Sequence, residues 1–242
     1  MSDIKKHYHR VEAWENFWST LTGEPAEVVW NVSHDKAVAV DFERFRNLIA
    51  LNKLPLVDVG CGDGTQTIFF AEHVESVIGV DGSSSAIEIA RSRTTKSNLD
   101  YAVLNIMDKE SCQSFYERIG DANIYMRGVL AQILPQDRPA VLGNLRLLMG
   151  MKGYLFLSDL LPENEAYFAS LIEKEGMPSG FARVLQHGIA PEGIGQEDID
   201  ILFSPEKFKI MEQGRHVINT VIPLAAGGFA QVPALYLIVK AL

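Results

Sequence analysis

A doubly wound α/β fold with a mostly parallel sheet is predicted by three features of the sequence. Short apolar runs alternate with amphipathic stretches from Leu54 onward: "LPLVDVG", "QTIFFAEHV", "SVIGVD", "SSAIEIARSR", "LDYAVLN", "CQSFYERI", "ANIYMRGVL", "DRPAVLGNLRLLM" and "GYLFLSDL". A glycine-rich turn, "VDVGCGDGTQT" from Val57 to Thr67, follows the first run directly, and an acid, Asp81, ends the next one. Strands alternating with helical patterns build βα units, and successive units give a parallel sheet with helices on both faces.

The elements divide the chain into four stretches of a single domain spanning residues 1–242. Residues 1–52 read as a helical cap carrying Trp14, Trp18 and Trp30; Trp14 and Trp18, four apart, share a helix face. That face either packs the helix on the sheet or closes a site. Residues 53–161 hold the alternating strands and helices. Residues 162–207 begin with a helix over Glu163 to Lys174 and continue as a Gly/Pro-punctuated insertion, a common place to build specificity on a rigid scaffold. In residues 208–242, "FKIMEQG" and "VPALYLIVKAL" are joined through "PLAAGGFAQ" and pair as a hairpin. No internal repeat or Ser/Gly linker divides the chain.

Composition narrows the function. The formal net charge of −9, with no lysine or arginine run, excludes the electrostatic footprint of a nucleic-acid binder. The N-terminus lacks an apolar signal region and no apolar span is long enough to cross a bilayer, so a cytoplasmic protein without a membrane partner is expected. Cys61 and Cys112 form neither a disulfide framework nor a metal pattern.

The glycine turn sits between a strand and a helix, at the carboxyl edge where open α/β sheets bind ligands. Asp81, about twenty residues beyond the first glycine, is spaced to accept hydrogen bonds from ribose hydroxyls. The spacing is G-x-G-x-G rather than the G-x-G-x-x-G of dinucleotide sites, and no P-loop lysine follows. A nucleoside with an amino-acid tail suits this turn better than one with phosphates.

On these residues the sequence resembles the class I S-adenosylmethionine-dependent methyltransferases. "VDVGCGDGTQT" is similar to their first motif, "VIGVDGSSSAIEIAR" to their second, "LDYAVLNIMD" to their third strand and "ANIYMRGVLAQI" to their fourth, covering about Leu54 to Leu161. The resemblance implies a seven-stranded Rossmann-like sheet and S-adenosylmethionine as cofactor. It implies that Gly60, Gly62 and Gly64 border the methionine moiety, Asp81 the ribose, and Asn105 with Ile106 the adenine. Met126 and Arg127 would floor the site near the sulfonium, with Asp58, Thr65, Gln66 and Gly82 completing the cofactor set. Asn105 stands where many relatives have aspartate, and Gln132 where many have histidine.

Arg127 ends an apolar strand and needs a partner, which a bound carboxylate or Asp159 could supply equally. His187, in the insertion, is the candidate catalytic base, and Tyr8, Trp14, Trp18, Gln132 and His187 are the candidate acceptor contacts. The expected reaction is methyl transfer to a small-molecule acceptor by in-line displacement, in a protein that a homodimer would also suit. The alternatives are a protein that binds the cofactor without transfer and a methyltransferase acting on RNA or protein.

Overall fold

Leu56–Val59 forms strand β1, and its parallel neighbours are Val77–Asp81 (β2) on one side and Asn123–Arg127 (β4) on the other. Both faces of such a strand are covered, which is why "LVDV" reads as a continuous buried run. This computed structural model describes residues 2–22, 27–94, 96–190 and 192–242, with side chains from residue 11 onward.

Beyond β2 lies Leu99–Val103 (β3), and beyond β4 lies Tyr154–Leu160 (β5). Two long antiparallel strands, Phe208–Pro223 (β6) and Phe229–Ala241 (β7), finish the sheet as the expected hairpin, with β7 inserted between β5 and β6. The seven-stranded order is β3-β2-β1-β4-β5-β7-β6, and its direction of winding reverses between β1 and β4. A crevice opens at such a switch point, outside the carboxyl ends of the strands.

Helices cover the two faces as the sequence alternates. Ser84–Arg93 (α4) starts where the Ser83 hydroxyl accepts the Ala86 N–H, and Lys109–Ile119 (α5) where Asp108 accepts the N–H groups of Glu110 and Ser111. With Arg138–Met149 (α6), helix α5 buries the larger core, in which Ile124, Met126, Leu145, Leu148, Leu155 and Leu157 are fully enclosed. On the opposite face, Val38–Asn52 (α2) and the short helix Thr67–Phe70 (α3) pack Phe42, Phe45, Ile49 and Phe70 onto Leu56, Tyr125 and Phe156. Alternation along β4 therefore sends Met126 to one face and Tyr125 with Arg127 to the other.

The first helix and the start of the insertion border this crevice. Ser2–Ser19 (α1) contributes Phe17 and Trp18 to a small core with Val28, Ala86, Val184 and Ile189. The insertion is more regular than its Gly/Pro punctuation suggests: after Asn164–Glu175 (α7) come Ser179–Gln186 (α8) and Gln196–Leu202 (α9). The Val221 N–H donates to the Val29 carbonyl, 2.8 Å away, so the segment after α1 is stitched to β6.

Candidate active site

The crevice is a cavity of about 250 Å³. The glycine turn forms one wall, because Gly60 and Cys61 both donate their N–H groups to the Val80 carbonyl at the end of β2. Gly62 has φ +53°, a conformation L side chains rarely adopt, and a Cβ there would lie 2.7 Å from the Trp18 ring. The turn needs glycine at this position for both reasons.

Asp81 closes the same wall. Its Oδ2 accepts the Gly62 N–H at 3.0 Å and its Oδ1 the Ser83 N–H at 2.9 Å, and the carboxylate keeps acceptor capacity for a further partner. Burial pushes its pKa up, against the hydrogen bonds from Ser83, Gly62 and Gly82. A pair of hydroxyls entering the cavity is the partner that such a carboxylate accommodates.

Asp58 also lines the cavity, accepting the Thr67 hydroxyl at 2.6 Å. Burial raises its pKa to about 7, a shift that the Thr67 bond opposes and the Asp81 charge reinforces. Asp63 is saturated differently, by Arg93 at 2.6 Å, the Asn31 amide at 2.6 Å and the Thr65 N–H at 3.1 Å. Cys61 is inert as a nucleophile, since burial first and the Asp81, Asp58 and Asp63 charges next push its thiol well up.

Asn105 and Ile106 line the cavity beyond Asp81, with Leu104 and Met107. The Asn105 side-chain carbonyl already accepts the Met107 N–H at 3.0 Å, so the residue orders its own loop. Gln66, Gly82 and Arg127 line the cavity as well, and Trp14, Trp18 and Gln132 lie in its other walls.

Several expected positions lie elsewhere. Met126 is fully enclosed in the core beneath the sheet and does not reach the cavity, because two consecutive strand residues cannot share a face. Gly64 backs onto Tyr101, whose hydroxyl would lie 2.3 Å from a Cβ. Thr65 is turned to Arg93, which its hydroxyl meets at 2.7 Å. His187 follows the last turn of α8 and sets its ring edge-on to Phe17, outside the lining, whereas Phe181 and Val184 of the same helix line the cavity. Arg127 pairs with Asp41, not with Asp159, whose carboxylate accepts the N–H groups of Ala131 and Leu160. The side chain of Tyr8 lies outside the described residues.

Sequence reasoning missed a second group. Asp41, Phe45 and Ile49 are spaced by four on the buried stripe of α2, so an acid in register with core residues was the available signal for Asp41. Asp41 accepts the Tyr125 hydroxyl at 2.8 Å and lies 3.8 Å from His216, whose ring also meets the Ser158 hydroxyl at 2.9 Å. Burial and the nearby Arg127 and Arg44 push His216 down to about 4, so it is neutral beside those cations. Phe168, Phe181, Ile218, Thr220 and Val232 give the cavity an apolar end that no motif announces.

Comparison with known proteins decides what this arrangement belongs to. Residues 56–153 match the methyltransferase-domain family. A solved S-adenosylmethionine-dependent methyltransferase from Anabaena variabilis is 36% identical, with a TM-score of 0.89 over 96% of this chain and 95% of that one. The chain belongs to the S-adenosylmethionine-dependent methyltransferases. The methyltransferase also shares its fold with a protein described for conversion of a disulfide bond into a thioacetal group during echinomycin biosynthesis, at 18% identity and a TM-score of 0.63 over 85% of this chain and 81% of that one. A third structure, magnesium protoporphyrin IX methyltransferase from Synechocystis PCC 6803 with bound S-adenosylhomocysteine, is 16% identical, with a TM-score of 0.54 over 84% and 82% of the two chains. No curated protein sequence matches the methyltransferase.

The cofactor is S-adenosylmethionine, and the cavity's donor set fits it. A buried carboxylate with acceptor capacity to spare stands at Asp81, a turn whose Gly60 and Gly62 carry no side chain beside it, and carboxylate groups, suited to a sulfonium cation, along one wall. Among the described residues, no helix is long and apolar enough to cross a membrane, and no cluster of His, Cys, Asp and Glu could hold a metal ion.

Proposed function

We propose that the methyltransferase acts on a small, largely apolar acceptor held in the end of the cavity away from Asp81. The observation that carries this reading is the lining there: Ile218 of β6 and Val232 of β7, on the opposite side of the sheet from β2, join the stacked pair Phe168 and Phe181 in lining the cavity, which has Gln132 and Thr220 as polar points. Apolar walls with few polar groups are what small-molecule pockets require. The net charge of −9 disfavours a polyanionic acceptor. Two free thiols, at Cys61 and Cys112, suit the reducing cytoplasm.

When bound, the cofactor supplies a methyl group on a sulfonium that is already a good leaving group. In this reading Asp81 with Gly82 holds the ribose, Gly60 and Gly62 leave room for the methionine tail, Asn105 and Ile106 flank the adenine, and Asp58, Gln66 and Arg127 complete the cofactor's surroundings. Trp14 and Trp18 exclude water, and Gln132 orients the acceptor. Alignment in a dry cavity then supplies most of the rate. Among the described residues no histidine lines the cavity, so an acceptor that loses its proton readily, such as an amine or thiol, fits better than an alcohol.

The test is incubation of the enzyme and isotope-labelled cofactor with a deproteinised, nuclease-treated metabolite extract, followed by mass spectrometry. Labelled small molecules support the reading; label confined to protein or RNA in the untreated extract refutes it.

A further inference from the structure

Glu15 lies on α1, one turn before Trp18 and next to Trp14, and both of its carboxylate oxygens are engaged. Oε2 accepts the Ser83 hydroxyl at 2.6 Å and the Ser85 N–H at 3.3 Å; Oε1 accepts the Ser85 hydroxyl at 2.6 Å and the Ser84 hydroxyl at 3.2 Å. These serines open α4 directly after Asp81 and Gly82, so Glu15 supplies the negative group that a helix N-terminus favours. Ser83 joins two systems at once: its N–H donates to Asp81 and its hydroxyl to Glu15.

The rest of α1 touches the same ring of backbone. A Cβ on Gly82 would meet Val11 at 3.4 Å, and one on Gly62 would meet Trp18 at 2.7 Å. Val11, Trp14, Trp18, Asp81 and Ser83 all line the cavity. Helix α1 thus rests on the Asp81 end at two apolar contacts, and Glu15 is the hydrogen-bonded fastening between them.

We infer that Glu15 is a positioning residue that latches α1 across the Asp81 end of the cavity, so that exchange of cofactor and its demethylated product requires the Glu15–serine hydrogen bonds to break. The inference rests on the assignment of that end to the cofactor's ribose. The latch is intramolecular and polar, which lets it open without exposing a core. Phe17, fully buried on the same helix, keeps α1 attached to Val28, Ala86, Val184 and Ile189. The carboxylate stays ionised in this role, because burial raises its pKa but the hydrogen bonds from Ser83, Ser85 and Ser84 outweigh that and hold it below the ordinary carboxylate value.

The test follows release of S-adenosylhomocysteine by stopped-flow tryptophan fluorescence in the wild type, Glu15→Ala, Glu15→Gln and Ser85→Ala, with melting curves on each preparation. Loss of charge-assisted hydrogen bonds of this kind predicts release about tenfold faster in Glu15→Ala, with Glu15→Gln and Ser85→Ala between it and the wild type. Release at the wild-type rate from folded Glu15→Ala overturns the latch, as does a loss of thermal stability without faster release. Should Glu15→Ala fail to fold, wild-type release from Ser85→Ala does the same. Asp81→Ala is measured in parallel: unchanged affinity there removes the ribose assignment itself, whereas weakened affinity with unchanged release in the Glu15 variants removes the latch alone.

Discussion

Arg127 ends β4 with its guanidinium turned to Asp41, Nε 3.9 Å from Oδ2, and the same carboxylate oxygen accepts the Tyr125 hydroxyl. Both partners are nearly buried, at 10% and 3% side-chain exposure, so each compensates the other's desolvation. Burial raises the Asp41 pKa, and Arg127, Tyr125 and Arg44 oppose the rise. Asp41→Ala should cost about 3–5 kcal/mol of stability, because it removes the carboxylate that pairs with a buried guanidinium. Asp41→Asn, which keeps an acceptor for Tyr125, should cost less. Urea denaturation of the two variants checks the order, and equal costs would show that the hydrogen bond from Tyr125 contributes nothing beyond the charge of Asp41.

Asp58 sets a pH dependence whose sign follows from burial. Its pKa is raised from 3.8 to about 7 in the fold, so between those values the folded state binds more proton than the unfolded one. The stabilisation from this group is therefore complete below the lower value and is lost as pH rises through about 7. Asp58→Asn should abolish that part of the decline while Asp81, Asp159 and Asp41 continue to titrate. Unfolding measured at acid and neutral pH on both proteins isolates the difference, and parallel pH profiles would contradict it.

Asp81→Ala should weaken cofactor binding by about 1–3 kcal/mol, the loss expected when two hydroxyls forfeit a charged acceptor. Isothermal titration calorimetry reads it directly, provided the variant's circular dichroism is unchanged.

Gly62→Ala combines a strained φ of +53° with a clash against Trp18. The φ strain alone is worth about 1–2 kcal/mol for a residue bearing a Cβ. Displacement of Trp18 should change the tryptophan emission as well as the cofactor affinity, and a variant with unaltered emission and affinity would mean that the turn tolerates a side chain there.

Phe181→Ala and His187→Ala separate the cavity wall from its neighbour. Phe181 lines the apolar end, and truncating it should lower kcat/KM for the acceptor about tenfold or more through lost contact area, with cofactor affinity intact. His187→Ala should leave turnover within about twofold, as expected of a residue that does not line the cavity. A large loss in His187→Ala would restore the histidine as a base.

The fold and the cofactor end of the cavity are local features, and the sequence carries them openly. The βα alternation, the glycine turn and Asp81 lie within a short stretch, so spacing alone brings Gly60, Gly62 and Asp81 to one edge. Direction was harder to read. Met126 and Arg127 are adjacent, yet only Arg127 faces the cavity, and nothing in an apolar run says which of two alternating sets points upward. His187 lies outside the cavity lining because α8 ends just before it, and a chain leaving a helix gives no guide to where its next side chain points. The Arg127–Asp41 pair spans 86 positions of sequence and the Glu15–Ser83 bond 68, and such long-range partners leave only a faint mark, an acid on an apolar helix stripe.

A cofactor at the Asp81 end and a small apolar acceptor against Phe181 and its neighbours are tested together by the isotope experiment run with wild type, Asp81→Ala and Phe181→Ala. Label is expected in low-molecular-weight products with the wild type. Labelling should fall with Asp81→Ala and recover when more cofactor is added, and should fall with Phe181→Ala without such recovery. Label found in macromolecules alone, or a Phe181→Ala defect cured by excess cofactor, would refute this division of the cavity.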